Sequence, residues 1–177
     1  MKRALFYGVG MKFAKRLLFP LLVLALSGCA GYRTGSTLNP AIKTVSLSVI
    51  NKTTEPSIEV AVMKALRAEL QMDGRLEVRS QNEADVMLTV TLNNFVLDPL
   101  AYGRREGLMV REYRMTMSAS AVLSDAESNE VILENPAVRG EVEFSYDDDL
   151  TSSKRAGLPG AANDLARKVV STVVTAW

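Results

Sequence analysis

From Tyr113 to Leu123 the chain alternates: Tyr113, Met115, Met117, Ala119, Ala121 and Leu123 fall on one side, and Arg114, Thr116, Ser118 and Ser120 on the other. Successive side chains of an extended strand point to opposite faces, so a run of this length predicts a long β-strand with one dry and one wet face. A strand that is apolar on one side must bury that side against another layer. The rest of the chain is read for partners that could supply it.

Three further stretches alternate in the same way. Thr44 to Ile50 sets Val45, Leu47 and Val49 against Thr44, Ser46 and Ser48, and Val86 to Leu92 sets Val86, Leu88, Val90 and Leu92 against Met87, Thr89 and Thr91. After Leu92 the phase moves, with Phe95 and Leu97 now apolar, which predicts a β-bulge at Asn93-Asn94. Val138, Val142, Phe144 and Tyr146 alternate with Arg139, Glu141, Glu143 and Ser145 in a last strand, with a possible pairing segment at Glu130 to Glu134 before it. Leu76 to Arg79 reads as a short strand, and Ser124 to Asn129 as a turn. Residues 98–110, with Pro99, two glycines and the Arg104-Arg105 pair, read as a hairpin loop.

Two segments carry the other period. Ile58, Val62, Ala65, Leu66 and Leu70 form one face of a helix running to about Met72, with Thr54 or Glu55 as N-cap candidates, Pro56 suited to the first turn and Gly74 placed to stop it. Ala162, Leu165, Ala166, Val169, Val170, Val173 and Val174 do the same for a final helix over Asn163 to Thr175, its start lying somewhere earlier. One-sided strands with one-sided helices predict an α+β fold, a two-layer sandwich in which a mainly antiparallel sheet is packed by two helices.

The N-terminus is of another kind. Lys2, Arg3, Lys12, Lys15 and Arg16 precede an apolar run from Leu17 to Leu26, then Leu26-Ser27-Gly28-Cys29. The run is ten residues, about half of the ~20 that span a bilayer. A basic flank, a short apolar run and small residues before a cysteine constitute a lipoprotein export signal. Residues 1–28 are therefore expected to be a removed signal peptide, Cys29 to carry lipid, residues 29–41 to form a tether and residues 42–177 the folded domain. Met11 opens a more typical signal than Met1, and translation can start at either. Ala30 rather than aspartate follows the cysteine, as in lipoproteins sent to the outer membrane.

Removing the signal leaves 16 basic against 20 acidic residues, so the mature chain is acidic and lacks the basic stripe of a nucleic-acid binder. The chain has no histidine and a single cysteine. That excludes histidine-based triads, cysteine nucleophiles beyond the lipidated one, intrachain disulfides and the usual zinc sets. No catalytic residues, metal or cofactor are expected.

The order of these segments resembles a known family. Gly31-Tyr32-Arg33 follows the lipidation motif at once; Val45 to Pro56, Glu69-Leu70-Gln71-Met72-Asp73-Gly74-Arg75-Leu76, Glu83-Ala84-Asp85-Val86, Asp98-Pro99-Leu100-Ala101-Tyr102, Glu112-Tyr113-Arg114-Met115-Thr116 and Asn163 to Val170 come after it, with Trp177 last. Together they are similar to the LptE family of lipopolysaccharide-assembly lipoproteins. The resemblance implies a sheet packed by two helices, seated inside the LptD-type outer-membrane β-barrel, that assists barrel assembly and binds lipopolysaccharide. The segments 98–110 and 147–160 do not align with any characterised lipopolysaccharide contact.

Within that frame Arg104 and Arg105 are the candidates for lipid A phosphate, because guanidinium pairs with phosphate through two hydrogen bonds, and Arg111 extends the same surface; a solvated loop pair is the plainer account. Arg114 stands beside them as a strand-edge cation. Asp147-Asp148-Asp149 offers oxygen ligands of the kind calcium takes but lacks the spacing of a dedicated loop, and a local salt-bridged loop with Lys154 and Arg155 is expected instead. Glu141 and Glu143 read as a wet face, and Met115 with Met117 as core. The competing function is a periplasm-facing adaptor of the curli-secretion or synthase-activator type.

Overall fold

The computed structural model describes residues 41–103, 109–146 and 149–175. The chain runs β1 (Thr44–Asn51), α1 (Ile58–Asp73), β2 (Glu77–Val78), a 3-10 turn (Gln81–Glu83), β3 (Val86–Gly103), β4 (Met109–Asp125), β5 (Val131–Ser145) and α2 (Leu150–Thr175). The five strands make one sheet in the order β2-β1-β3-β4-β5.

The α+β class holds, but the sheet is mixed rather than mainly antiparallel. β1 is parallel to β2 and to β3, while β4 is antiparallel to both β3 and β5. The cause is connectivity: α1 carries the chain from β1 back to the end where β2 and β3 begin, and such a crossover delivers a parallel neighbour. Alternation along a strand reports which side is dry and is silent on direction.

Both helices cover one face of the sheet. Val45, Val86, Leu88, Val90, Met115, Met117 and Leu123 form a single core with Ile58, Leu66 and Leu70 of α1 and Leu165, Val169 and Val173 of α2, all at most 1% exposed. Each such side chain is worth roughly 1.5–3 kcal/mol over its exposed state. The bulge expected at Asn93 is present: the β3–β4 register slips between Leu92 and Asn94, which returns Phe95 and Leu97 to the core side.

Several ends are fixed by single residues. One carboxylate oxygen of Asp85 accepts the N–H groups of Lys43 and Thr44 at 2.9 Å each and the Thr44 hydroxyl at 2.8 Å, pinning the start of β1 to the start of β3. Those hydrogen bonds, the Lys43 N–H foremost, hold its carboxyl below the usual range. Gly74 ends α1 at φ +71°, its N–H donating to the Leu70 carbonyl at 3.0 Å. Asp125 accepts Glu127 and Ser128 N–H groups to close the β4–β5 turn.

Four local expectations are corrected. Residues 98–110 are not a loop throughout, since β3 continues to Gly103 and β4 begins at Met109; Pro99 is accommodated at a register slip, where a missing N–H is tolerated. The pairing expected at 130–134 is present, but that segment and the last strand are one element, β5, rather than two, with a register shift between Asn135 and Val138. Helix α1 is preceded by Ser57 at φ +64°, with Pro56 outside it, so neither Thr54 nor Glu55 is the N-cap. Helix α2 begins at Leu150: Asp149 takes the N–H groups of Thr151 at 3.0 Å and Ser152 at 2.9 Å and the Ser152 hydroxyl at 2.6 Å. An acid at the head of a helix satisfies orphan N–H groups and suits the macrodipole.

Candidate functional site

With both helices on one side, the other side of β1, β3, β4 and β5 is left without a covering layer among the described residues. Its centre is a field of short polar side chains. Ser48 is beside Thr89, Ile50 beside Thr91, Thr91 opposite Ser120, Asn94 opposite Ser118 and Val96 opposite Thr116. The Asn93 side chain donates to the Ser120 hydroxyl at 3.4 Å. Toward β5 the face becomes ionic: Arg114 donates to Glu143 through Nε at 3.2 Å and Nη2 at 2.7 Å, and Arg139 stands 3.8 Å from Glu141. The hydrogen bond it donates to Glu143 holds the Arg114 guanidinium still more firmly charged than usual. Such a face is rich in hydroxyls, and its charges are paired across the strands.

Of the candidate residues, Cys29, Arg104 and Arg105 lie outside the described residues. Arg111 lies in β4, exposed, with its carbonyl accepting the Tyr146 N–H at 2.9 Å. Arg114 is committed to Glu143. Glu141 and Glu143 do share the wet face, and Met115 and Met117 are both fully buried. Lys154 lies in α2 with its ammonium 2.5 Å from Glu55, tying α2 to the segment before α1, while Asp147 and Asp148 of the acidic run lie outside the described residues. Among the described residues no group of three acidic, histidine or cysteine side chains is placed to hold a metal.

Two features escaped the sequence. Tyr113 stacks on Phe144 with centroids 5.9 Å apart and has Tyr146 at 6.4 Å, an aromatic cluster at the hairpin end. A cleft of about 590 Å³ opens there, where Val142 and Phe144 face Ser152, Ala156 and Gly160.

The second is the outer edge of β5. Asp164 accepts the Glu141 N–H at 3.0 Å, Lys168 donates to the Arg139 carbonyl at 2.8 Å, and Thr172 receives the Asn135 amide at 3.5 Å. Burial works to raise the Asp164 carboxyl, but hydrogen bonds from Lys168, Arg167 and the Glu141 N–H outweigh it and bring the pKa down to about 2. The spacing of 164, 168 and 172 was visible in the sequence, yet it reads there only as a wet helix face. Between the two bonded positions lies Gly140, where a Cβ would come within 2.5 Å of the Ala161 carbonyl and of Leu165 Cβ.

A mixed sheet with two helices on one side and an uncovered polar face on the other defines a small two-layer α+β domain. Solved structures share this fold: protein XCC0632 from Xanthomonas campestris (TM-score 0.52, 12% identity, 76% of this chain and 85% of that one), a PelC dodecamer from Paraburkholderia phytofirmans (0.50, 19%, 80% and 96%), and a protein from Caulobacter crescentus CB15 described as a lipoprotein (0.50, 16%, 73% and 89%). No curated protein sequence matches the chain. The family model for LptE, lipopolysaccharide-assembly, matches residues 42–175. The chain belongs to the LptE family, a family of non-enzymatic lipoproteins. No helix among the described residues is long and apolar enough to cross a membrane.

Proposed function

We propose that this chain is cut before Cys29, anchored to the outer membrane by lipid on that residue, and seated in an LptD-type β-barrel, where it assists lipopolysaccharide transport and assembly. Residues 29–41 act as the tether and the domain from residue 42 onward as the plug. The observation that carries the reading is the uncovered, largely polar face. Barrel lumens of this class are polar, and Thr116, Ser118 and Ser120 beside Arg139, Glu141 and Glu143 offer hydroxyls and paired charges to such a wall. Membership of the family supports the same partner. Arg104, Arg105 and Arg111 contribute the cations for lipopolysaccharide phosphate.

The test is purification of the mature protein from its own membrane in mild detergent, combined with depletion. A permanent complex buries more than about 2,000 Å², so a β-barrel should co-purify in stable ratio. Depletion should lower the amount of assembled barrel and let bulky hydrophobic antibiotics through. If no barrel co-purifies and permeability is unchanged on depletion, the adaptor reading replaces this one.

A further inference from the structure

The two edges of the sheet are treated differently. Along β5, helix α2 lowers Asp164 and Lys168 onto the main chain at Arg139 and Glu141. On the other side, β2 is only two residues long and pairs with Thr44 and Val45. Beyond Val45 no strand lies against the outer side of β1 among the described residues.

The direction of the main-chain groups there follows from their neighbours. The carbonyls of Lys43 and Val45 accept from Glu77 and Arg79 on the β2 side, whereas the N–H of Lys52 donates to Leu92 on the β3 side. Alternate residues point alternately, so Leu47 and Val49 present N–H and C=O outward. Sheet edges of this kind are normally blunted by charge, proline, a bulge or a covering element. This one carries none of these over Leu47 to Val49.

Beside it runs a groove of about 480 Å³ between β1 and α1, lined by Val49, Glu59, Val60, Met63, Lys64 and Arg67. Val60 is 65% exposed on the helix side of the edge and Ile50 is 44% exposed on the sheet side, so an added strand would cover both. Glu59 is engaged by the Asn51 amide at 3.0 Å. Lys64 and Arg67 have no ion-pair partner among the described residues, and they leave the groove cationic.

We propose that the outer edge of β1, at Leu47 and Val49, accepts an extended acidic segment of another protein as a sixth strand. Main-chain hydrogen bonds to Leu47 and Val49 supply the affinity, and the groove reads alternate side chains: an apolar one against Val60 and Met63, acidic ones toward Lys64 and Arg67. A second copy of this chain is the poorer occupant, because edge-to-edge pairing would bring its own Lys64 and Arg67 toward the same cations. The inference goes beyond the barrel reading and does not rest on it.

The test uses the full-length mature chain in detergent micelles and a synthetic peptide, acetyl-Thr-Val-Thr-Glu-Thr-Glu-Thr-amide, followed by amide hydrogen exchange. The peptide should slow exchange at Leu47 and Val49 by about tenfold. A version with lysine for glutamate, and one with alternate amides N-methylated, should not. Val60→Asp, or Lys64→Glu with Arg67→Glu, should abolish the protection while the melting temperature holds. No protection, or equal protection by the lysine peptide, overturns the proposal. So does protection that appears without peptide and grows with protein concentration, which would make a second copy the occupant.

Discussion

The main-chain N–H of Glu141 donates to the carboxylate of Asp164 at 3.0 Å, so a helix side chain takes the place of a neighbouring strand. Lys168, one turn further on, donates to the Arg139 carbonyl at 2.8 Å and to Asp164 at 2.7 Å. Removing the carboxylate strands a strand-edge donor, takes from Arg167 its acceptor and leaves Lys168 only the Arg139 carbonyl. Hydrogen bonds to charged groups contribute about 1.5–3 kcal/mol, and Asp164→Ala should cost about 2 kcal/mol in urea unfolding, with little change in the denaturant slope. A loss under about 0.5 kcal/mol, the range of ordinary surface changes, would show that water replaces the contact without penalty.

The same carboxylate sets a pH window. Burial raises its pKa, but Lys168, Arg167 and the Glu141 N–H prevail and hold it at about 2 in the fold, below the ~3.9 of an unfolded aspartate. A group whose pKa is depressed by folding adds stability above its unfolded value, and that contribution is lost as pH falls through the folded value. Stability should therefore decline from about pH 4 toward about 2. Asp164→Asn should decline less over the same interval, and parallel curves for the two proteins would contradict the assignment.

Gly140 and Gly74 should answer differently to alanine. At Gly140 a Cβ meets the Ala161 carbonyl and Leu165 Cβ at 2.5 Å, backbone and a packed side chain that cannot give way, so Gly140→Ala should cost at least the ~1–3 kcal/mol of core overpacking. At Gly74 a Cβ meets nothing within 4 Å, and the cost is only the ~1–2 kcal/mol of a left-handed alanine. Thermal unfolding of the two variants decides the matter.

Cys29→Ser should leave the precursor uncut, or release the protein from the membrane fraction. Mass spectrometry of the wild-type N-terminus should find residue 29 first, carrying acyl chains. An unmodified terminus elsewhere would falsify the anchoring claim.

Arg104→Ala with Arg105→Ala should weaken lipopolysaccharide binding, and adding Arg111→Ala should weaken it further. Exposed cations contribute only about 0–1 kcal/mol to folding, so the melting temperature should hardly move. Unchanged binding in the triple variant would return the group to an ordinary solvated surface.

Much of this was legible because apolar period and burial are the same physics. The alternation from Met115 to Leu123 and the stripes Ile58 to Leu70 and Leu165 to Val174 all face the core, and the bulge at Asn93 is where the phase shift put it. What escaped was contact-dependent. The first turns of α2 carry Ser152, Ser153, Gly157, Pro159 and Gly160, which read as a loop, but their smallness lets the helix lie close on Val142 and Phe144. The parallel β1–β3 pairing lay in the strand-helix-strand order rather than in any strand. Of the candidate site, the wet face was readable from alternation, whereas the pairing of Arg114 with Glu143 needed the cross-strand register.

The caps on β5 also set a valence. A sheet open at both edges can pass pairing from one molecule to the next without end, which is how fibres grow. Here Asp164 and Lys168 interrupt the β5 edge at its centre, whereas the outer side of β1 over Leu47 to Val49 and the same side of β3 beyond Leu92 carry no paired strand among the described residues. A strand added at β1 could not pass pairing on through the centre of the β5 edge, where helix side chains hold the main-chain groups. That asymmetry leaves one side of the sheet with open main-chain groups while the other is closed at its centre, so edge-to-edge pairing cannot propagate there in both directions.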